Sequence, residues 1–137
     1  MPKGSLKLPC VTTSANLTDH ERLQAWRTAM DLLAESYRIA RHLPAEERYG
    51  LASQIRRAAV SIPANIAEGC GRTSPGDRLR FYSIARGSLC ELGTLLAAVE
   101  LLGYVEPPAL HLARDTVGRT RQLLSGLSRY VRNRRAL

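Results

Sequence analysis

The sequence predicts an all-α protein, an antiparallel up-down-up-down four-helix bundle. Three observations point there. Leu, Ala and Arg dominate while aromatics are only 5%, a mix that favours helix over sheet. Apolar residues recur at alternating spacings of three and four in four successive segments. The connections between these segments are short and marked by Pro and Gly, and short links between long helices make neighbours antiparallel. The 137 residues fit one domain, and 45% hydrophobic content can fill a single core without disulfides or metals.

Residues 1–17 carry Pro2, Gly4, Pro9 and several Ser/Thr without a period, and read as a flexible N-terminal arm. The bundle is expected over 18–131. A first helix should start near Thr18, where Thr18 and Glu21 are spaced as a capping box. Leu23, Trp26, Met30, Leu33, Tyr37 and Ala40 then mark one face, and Pro44 stops the helix. A second helix is expected from Ala45–Glu47, whose acids suit a helix N-terminus. Its stripe is Leu51, Ile55, Ala58, Ile62 and Ile66. Pro63 inside it removes a bond to the Ala59 carbonyl and should kink the helix or split off its last turn, with Gly69 and Gly71 closing the segment.

Ser74 is placed to cap a third helix with Pro75 at its first position. Tyr82, Ala85, Leu89, Leu92, Leu96, Val99 and Gly103 form its stripe. Phe81, Ile84, Leu95 and Leu102 flank that stripe, so the apolar arc is wider than one core needs. Gly87, Ser88 and Gly93 are small enough to let another backbone approach. Pro107-Pro108 introduces a fourth helix with Leu110, Ala113, Val117, Thr120, Leu124, Leu127 and Val131 on one face, a period suited to packing at roughly +20°. Residues 132–137 read as a basic C-terminal tail.

The charge balance narrows the function classes. The chain carries 20 basic residues against 12 acidic ones, a net charge of +8, and only Lys3 and Lys7 are lysine. Guanidinium groups make bidentate contacts to phosphate. From Pro107 to the end there are seven arginines and one acid, Asp115, so this segment supplies +6 of the total. Arg119, Arg121, Arg129, Arg132, Arg134 and Arg135 are the candidate nucleic-acid-binding residues. With no recognition-helix or RNA-binding signature, contact is expected with the backbone or with RNA shape.

Several stretches resemble a known family. They are Trp26-Arg-Thr-Ala-Met-Asp-Leu32, the run from Tyr49 to Gly69 that includes Ser61-Ile-Pro-Ala-Asn-Ile-Ala-Glu-Gly69, and the run from Arg80 to Leu92 that includes Ala85-Arg-Gly-Ser88 and Glu91. Together they resemble the four-helix-bundle family of 23S rRNA intervening-sequence proteins, from about Leu23 to about Val131. The resemblance implies an antiparallel bundle assembled as a homopentameric ring. It also implies kinship with the accessory variability proteins of diversity-generating retroelements, basic pentamers that bind nucleic acid and serve a reverse transcriptase. The sequence departs from the pattern at Gly93, where many relatives carry an acidic residue.

A second constellation is polar: Ser61, Asn65, Glu68, Arg86, Ser88 and Glu91, with Arg72 nearby. It reads as a structural or interface cluster that satisfies the carbonyl freed by Pro63 and fixes subunit register. Its carboxylates lack a geometry for acid–base chemistry, so no catalytic residue is assigned and the chain is read as non-enzymatic. His20, His42 and His111 lie on separate segments. Cys10, Cys70 and Cys90 are isolated, so neither a metal site nor a disulfide framework is expected. Gly69 and Gly71 follow no strand and make no phosphate loop, and no cofactor is expected. Trp26 and Tyr37 read as core; Phe81 and Tyr82 as core or subunit contact. Reduced thiols and the lack of a long apolar run point to a cytoplasmic protein without membrane association.

The leading expectation is therefore an oligomeric helical scaffold that binds RNA or DNA through exposed arginines, with rRNA or a retroelement reverse transcriptase as the implied context. The rival is a protein–protein interaction module whose charge only aids solubility. An enzyme built on Glu68 and Arg86 is the remaining alternative.

Overall fold

A computed structural model describes residues 19–20 and 23–135, the last by its backbone alone. Among these residues lie four α-helices: α1 Gln24–Arg41, α2 Leu51–Cys70, α3 Pro75–Leu101 and α4 Pro107–Arg135. α1 packs on α2 and α4, and α3 packs on the same two helices, so α1 and α3 face each other across the diagonal of an up-down-up-down bundle. The expected arm, residues 1–17, lies outside the described residues, as do residues 136–137.

The helix boundaries follow local chemistry. Ser74 caps α3, its hydroxyl accepting from the Asp77 N–H at 3.1 Å with Pro75 at the first position, as the sequence predicts. α3 ends where Gly103 takes φ +69°, and Gly103 N–H and Tyr104 N–H donate back to the Glu100 and Val99 carbonyls at 3.1 and 3.2 Å. That pair of bonds is the Schellman closure, and it needs a residue without a Cβ at the left-handed position.

Two starts differ from expectation. α1 begins at Gln24, with Leu23 extended and no side-chain cap, rather than near Thr18. Thr18 and Glu21, the expected capping box, lie outside the described residues. Ala45–Glu47 forms a short 3-10 turn, and α2 begins only at Leu51. Glu47 still serves that helix: its Oε2 accepts from the Leu51 N–H at 3.0 Å, and its Oε1 accepts from the Tyr104 hydroxyl at 3.3 Å. The two loops at this end of the bundle are thereby tied together.

α2 runs unbroken past Pro63 to Cys70, so its last turn is not split off. Gly69 does not end the helix either. It is buried inside the last turn, where an added Cβ would meet the Tyr82 ring at 2.7 Å. Its role is to let α3 approach. α4 continues through Arg135, so Arg132 and Arg134 extend from a helix and not from a tail.

The core bears out most of the predicted stripes. Ile55, Ile62 and Ile66 of α2, Leu89, Leu92, Leu96 and Val99 of α3, and Leu110 and Thr120 of α4 are fully buried. Each large aliphatic side chain there contributes about 1.5–3 kcal/mol by leaving water. α1 is the exception. Its buried face is Ala25, Ala29, Leu32, Ser36, Ile39 and the predicted Ala40, while the predicted Leu23, Trp26, Met30, Leu33 and Tyr37 are only half-buried. Two parallel stripes run along this helix with the same period, and the one with smaller residues faces inward because it packs closer. Of the flanking stripe on α3, Leu95 is buried, but Ile84 and Leu102 are 45% and 53% exposed.

Candidate nucleic-acid interface

The structure sorts the arginines by helix face. Arg119, Arg121, Arg129, Arg132 and Arg134 are all exposed. The side chain of Arg135 lies outside the described residues. The exposed five do not form one patch. Arg119 lies on the α1 side of α4, close enough to Glu35 to act on its charge. Arg134 is held by Tyr130: its Nη1 donates to the phenol oxygen at 2.6 Å and its guanidinium carbon lies 5.4 Å from the ring centroid. Arg121 and Arg132 face α3.

Between α3 and α4 runs a seam of two recesses placed end to end. One is bounded by Arg86 and Ser83 of α3 and by Ser125, Ser128 and Arg132 of α4. The next, of about 540 Å³, is bounded by Cys90, Gly93 and Thr94 of α3 and by Arg114 and Arg121 of α4. No acidic side chain lines either recess. The origin is periodic. Leu79, Ser83, Arg86, Cys90, Gly93 and Ala97 repeat at four and three along α3, and Arg114, Gly118, Arg121, Ser125, Ser128 and Arg132 do so along α4. These are one-sided helix positions next to the core stripe, occupied, apart from Leu79, by small residues and arginines. Added Cβ atoms at Gly93 and Gly118 would meet nothing within 4 Å, so the seam is open.

The expected polar cluster is only partly assembled. Ser88 Oγ donates to Ser61 Oγ at 2.8 Å across α2 and α3, and Asn65 Nδ2 donates to the same hydroxyl at 3.0 Å. The Asn65 amide also donates to the carbonyl of Ser61 at 2.7 Å, so it serves that carbonyl and not the one freed at Ala59. Glu68 is exposed and paired at 2.5 Å with Arg72, just past the end of its own helix. Glu91 is exposed and makes no ion pair among the described residues. Arg86 does not belong to the cluster at all. Ser88 faces α2 whereas Arg86, two residues earlier on a helix, points along the other flank into the α3/α4 seam.

Aromatic residues carry charge contacts more than base-stacking surfaces. Arg72 and Arg80 place guanidinium carbons 4.8 and 5.0 Å from the Phe81 centroid. Trp26 packs against the core and meets His20 edge-on at 5.3 Å between centroids. Tyr37 is half-buried beside Arg56, Arg57 and Val60 on the α1/α2 flank, not in the core. Tyr82 is buried, and burial pushes its phenol up to about 12.

Burial pushes the Cys70 thiol up, which disfavours the reactive thiolate. Among the described residues no group of three or more His, Cys, Asp or Glu is placed to hold a metal ion, and no helix is long and apolar enough to cross a membrane. A cleft of about 470 Å³ lies where the α3–α4 loop meets α1, lined by Glu35, His42, Tyr104 and Leu112 among others. Sequence reasoning did not anticipate it, because its walls come from a loop and two helices distant in sequence.

Comparison with known proteins agrees with this architecture. No curated protein matches the chain significantly. Its fold is similar to that of a protein of unknown function from the S23 ribosomal protein family of Bacteroides thetaiotaomicron VPI-5482, with a TM-score of 0.71 and 19% identity over 76% of this chain and 97% of the other. Residues 21–126, most of the bundle, match the family described as 23S rRNA-intervening sequence protein. With those residues matched and that fold, this chain belongs to the 23S rRNA-intervening sequence protein family.

Proposed function

We propose that the protein is a non-enzymatic helical scaffold that associates with itself and binds the backbone of nucleic acid through exposed arginines. The observation that carries this reading is the α3/α4 seam, lined by arginines and by no acidic side chain, with Arg114 at its end paired to Glu100, in a chain of net charge +8. Such a field raises local phosphate density and the rate of encounter. The family's name refers to 23S rRNA, which favours RNA as the partner. An accessory role beside a reverse transcriptase is the other context consistent with the resemblance.

Self-association, as a homopentamer, is supported by apolar surface that the single chain leaves uncovered. Tyr49, Leu101, Leu102 and Leu112 are all more than half exposed, and the topology gathers them at the end of the bundle where the α1–α2 and α3–α4 loops lie. Met30, Leu33 and Tyr37 are half-exposed on α1. Large apolar side chains left exposed in this way suit contacts between proteins. This exposure also favours the second reading, a module whose apolar end binds another protein and whose arginines only solubilise it.

Fluorescence anisotropy with labelled RNA decides between them. The nucleic-acid reading requires binding at about 50 mM salt that weakens by roughly a thousandfold or more at about 200 mM if six phosphates are contacted. Absence of binding at the lower salt would leave the protein-interaction reading. Light scattering tests assembly, and a lone 15.1 kDa species at micromolar concentration would remove self-association from the proposal.

A further inference from the structure

We propose that the α3/α4 seam is a track for one single strand of nucleic acid, gripped by its phosphates and read with little sequence preference. This rests on the nucleic-acid reading above and names its site. The track does not coincide with the arginine-rich end of the sequence. It takes Arg121 and Arg132 from that end, adds Arg86 from α3, and leaves out Arg119 and Arg134.

Availability is the first argument. Arg86, Arg121 and Arg132 make no ion pair, hydrogen bond or ring contact with any described residue, although each lines the seam. Several arginines elsewhere are engaged, Arg72 by Glu68, Arg78 by the Arg72 carbonyl and Arg134 by Tyr130, while Arg57 and Arg119 are also unpaired among the described residues but lie on other faces. Arg86 and Arg132 line the same recess, where their like charges repel and an anion between them relieves that cost. Arg114 ends the row, shared with Glu100 at 2.8 Å.

Shape is the second. The arginines follow one line, and from Arg114 to Arg132 that line is about 27 Å long at 1.5 Å per helical residue. Its floor lies between two packed helices, where Leu79, Tyr82 and Leu124 close one recess and Leu89 and Val117 the other, and its walls carry small side chains, with hydroxyls at Ser83, Ser125 and Ser128 as further donors to phosphate. One flexible strand can settle into such a seam. A duplex is a stiff rod and would touch it with a single ridge. The third argument concerns the bases. The only aromatic residue lining the seam, Tyr82, is buried, so no platform is offered for base stacking and sequence preference is weak.

The test compares two charge-matched triple variants of the full chain. One is R86Q/R121Q/R132Q in the seam; the other is R41Q/R48Q/R57Q, exposed on the α1/α2 side. Each is titrated with single-stranded and duplex RNA and DNA probes of about 12 nucleotides or base pairs, within the span that single-strand grooves accommodate. The seam variant should lose at least tenfold in single-strand affinity, and its log K against log salt slope should fall by about 2, at about 0.7 per lost phosphate contact. The control variant should lose less than about threefold, since its charges act only at range through screening salt. G93E adds a carboxylate to the floor, where a Cβ meets nothing within 4 Å, and should reproduce the loss without removing any arginine. Circular dichroism melts establish that each variant is folded. Equal losses from both triples, full affinity in G93E, or tighter binding of duplex than of single strand would overturn the track while leaving nucleic-acid binding in place. A wild-type protein that binds neither probe would sink the underlying reading as well.

Discussion

Thr116 Oγ1 on α4 lies 3.2 Å from Glu35 Oε1 on α1 and 3.0 Å from the carbonyl of Leu112. A hydroxyl has one proton and cannot donate to both. Glu35 Oε2 is buried without a partner. The Glu35 carboxylate is thus poorly supplied with donors for its charged form. Burial raises the Glu35 carboxyl above its ordinary value, outweighing the Thr116 bond and the pull of Arg38 and Arg119, with Asp31 adding to the rise.

The stability consequence has a definite sign. Above the ordinary carboxylate value of 4.5, an unfolded chain releases this proton before the folded one does. The folded state then holds more protons, so stability falls as pH rises from that value toward the raised one. Glu35→Gln should flatten this part of the curve and raise Tm at neutral pH. Thermal melts between about pH 4 and 8 check it, the range that brackets a raised carboxyl. A variant whose pH profile parallels the wild type would show that Glu35 is not the titrating group.

Replacing Gly69 on α2 and Gly93 on α3 should have opposite effects. At Gly69 a Cβ would sit 2.7 and 2.9 Å from ring atoms of buried Tyr82 and 3.1 Å from the Arg78 carbonyl. Gly69→Ala should cost about 1–3 kcal/mol through overpacking, despite its better helix propensity. At Gly93 a Cβ meets nothing within 4 Å, so Gly93→Ala should stabilise by up to about 1 kcal/mol. Urea denaturation of both variants checks the pair of signs.

The serine contact between α2 and α3 is asymmetric. Ser88→Ala leaves Ser61 still accepting from Asn65 and should cost about 0.5–1.5 kcal/mol. Ser61→Ala strands the Ser88 hydroxyl, 9% exposed, and should cost more, about 1–3 kcal/mol. The double variant should be no worse than Ser61→Ala alone. A double-mutant cycle by denaturant unfolding reads the coupling, and strict additivity would mean that the bond contributes nothing.

Glu100 tempers the end of the basic seam. Its side chain and that of Arg114 are 39% and 41% exposed, and an ion pair that wet contributes less than about 1 kcal/mol. Glu100→Gln should therefore leave Tm nearly unchanged while tightening single-strand binding several-fold by freeing Arg114. Anisotropy at low salt measures it, and unchanged affinity would place Arg114 off the track.

The sequence by itself determined the helices and most of the core. Period, Pro75 with Ser74, Gly103 and the short loops are local signals, since each depends on neighbours within one or two turns. It also determined that positive charge is concentrated after Pro107. Two things were legible only in part. On α1 a stripe of large residues and a stripe of small ones share one period, and only packing against α2 and α4 decided that Ala25, Ala29 and Leu32 face inward. Composition could count arginines but not say which face each would take. The tertiary structure separated Arg119 and Arg134 from Arg121 and Arg132, and it drew Arg86 away from Ser88 to join them. The physical reason is that a helix turns about a hundred degrees per residue, so which neighbour a side chain meets depends on where the other helices pack.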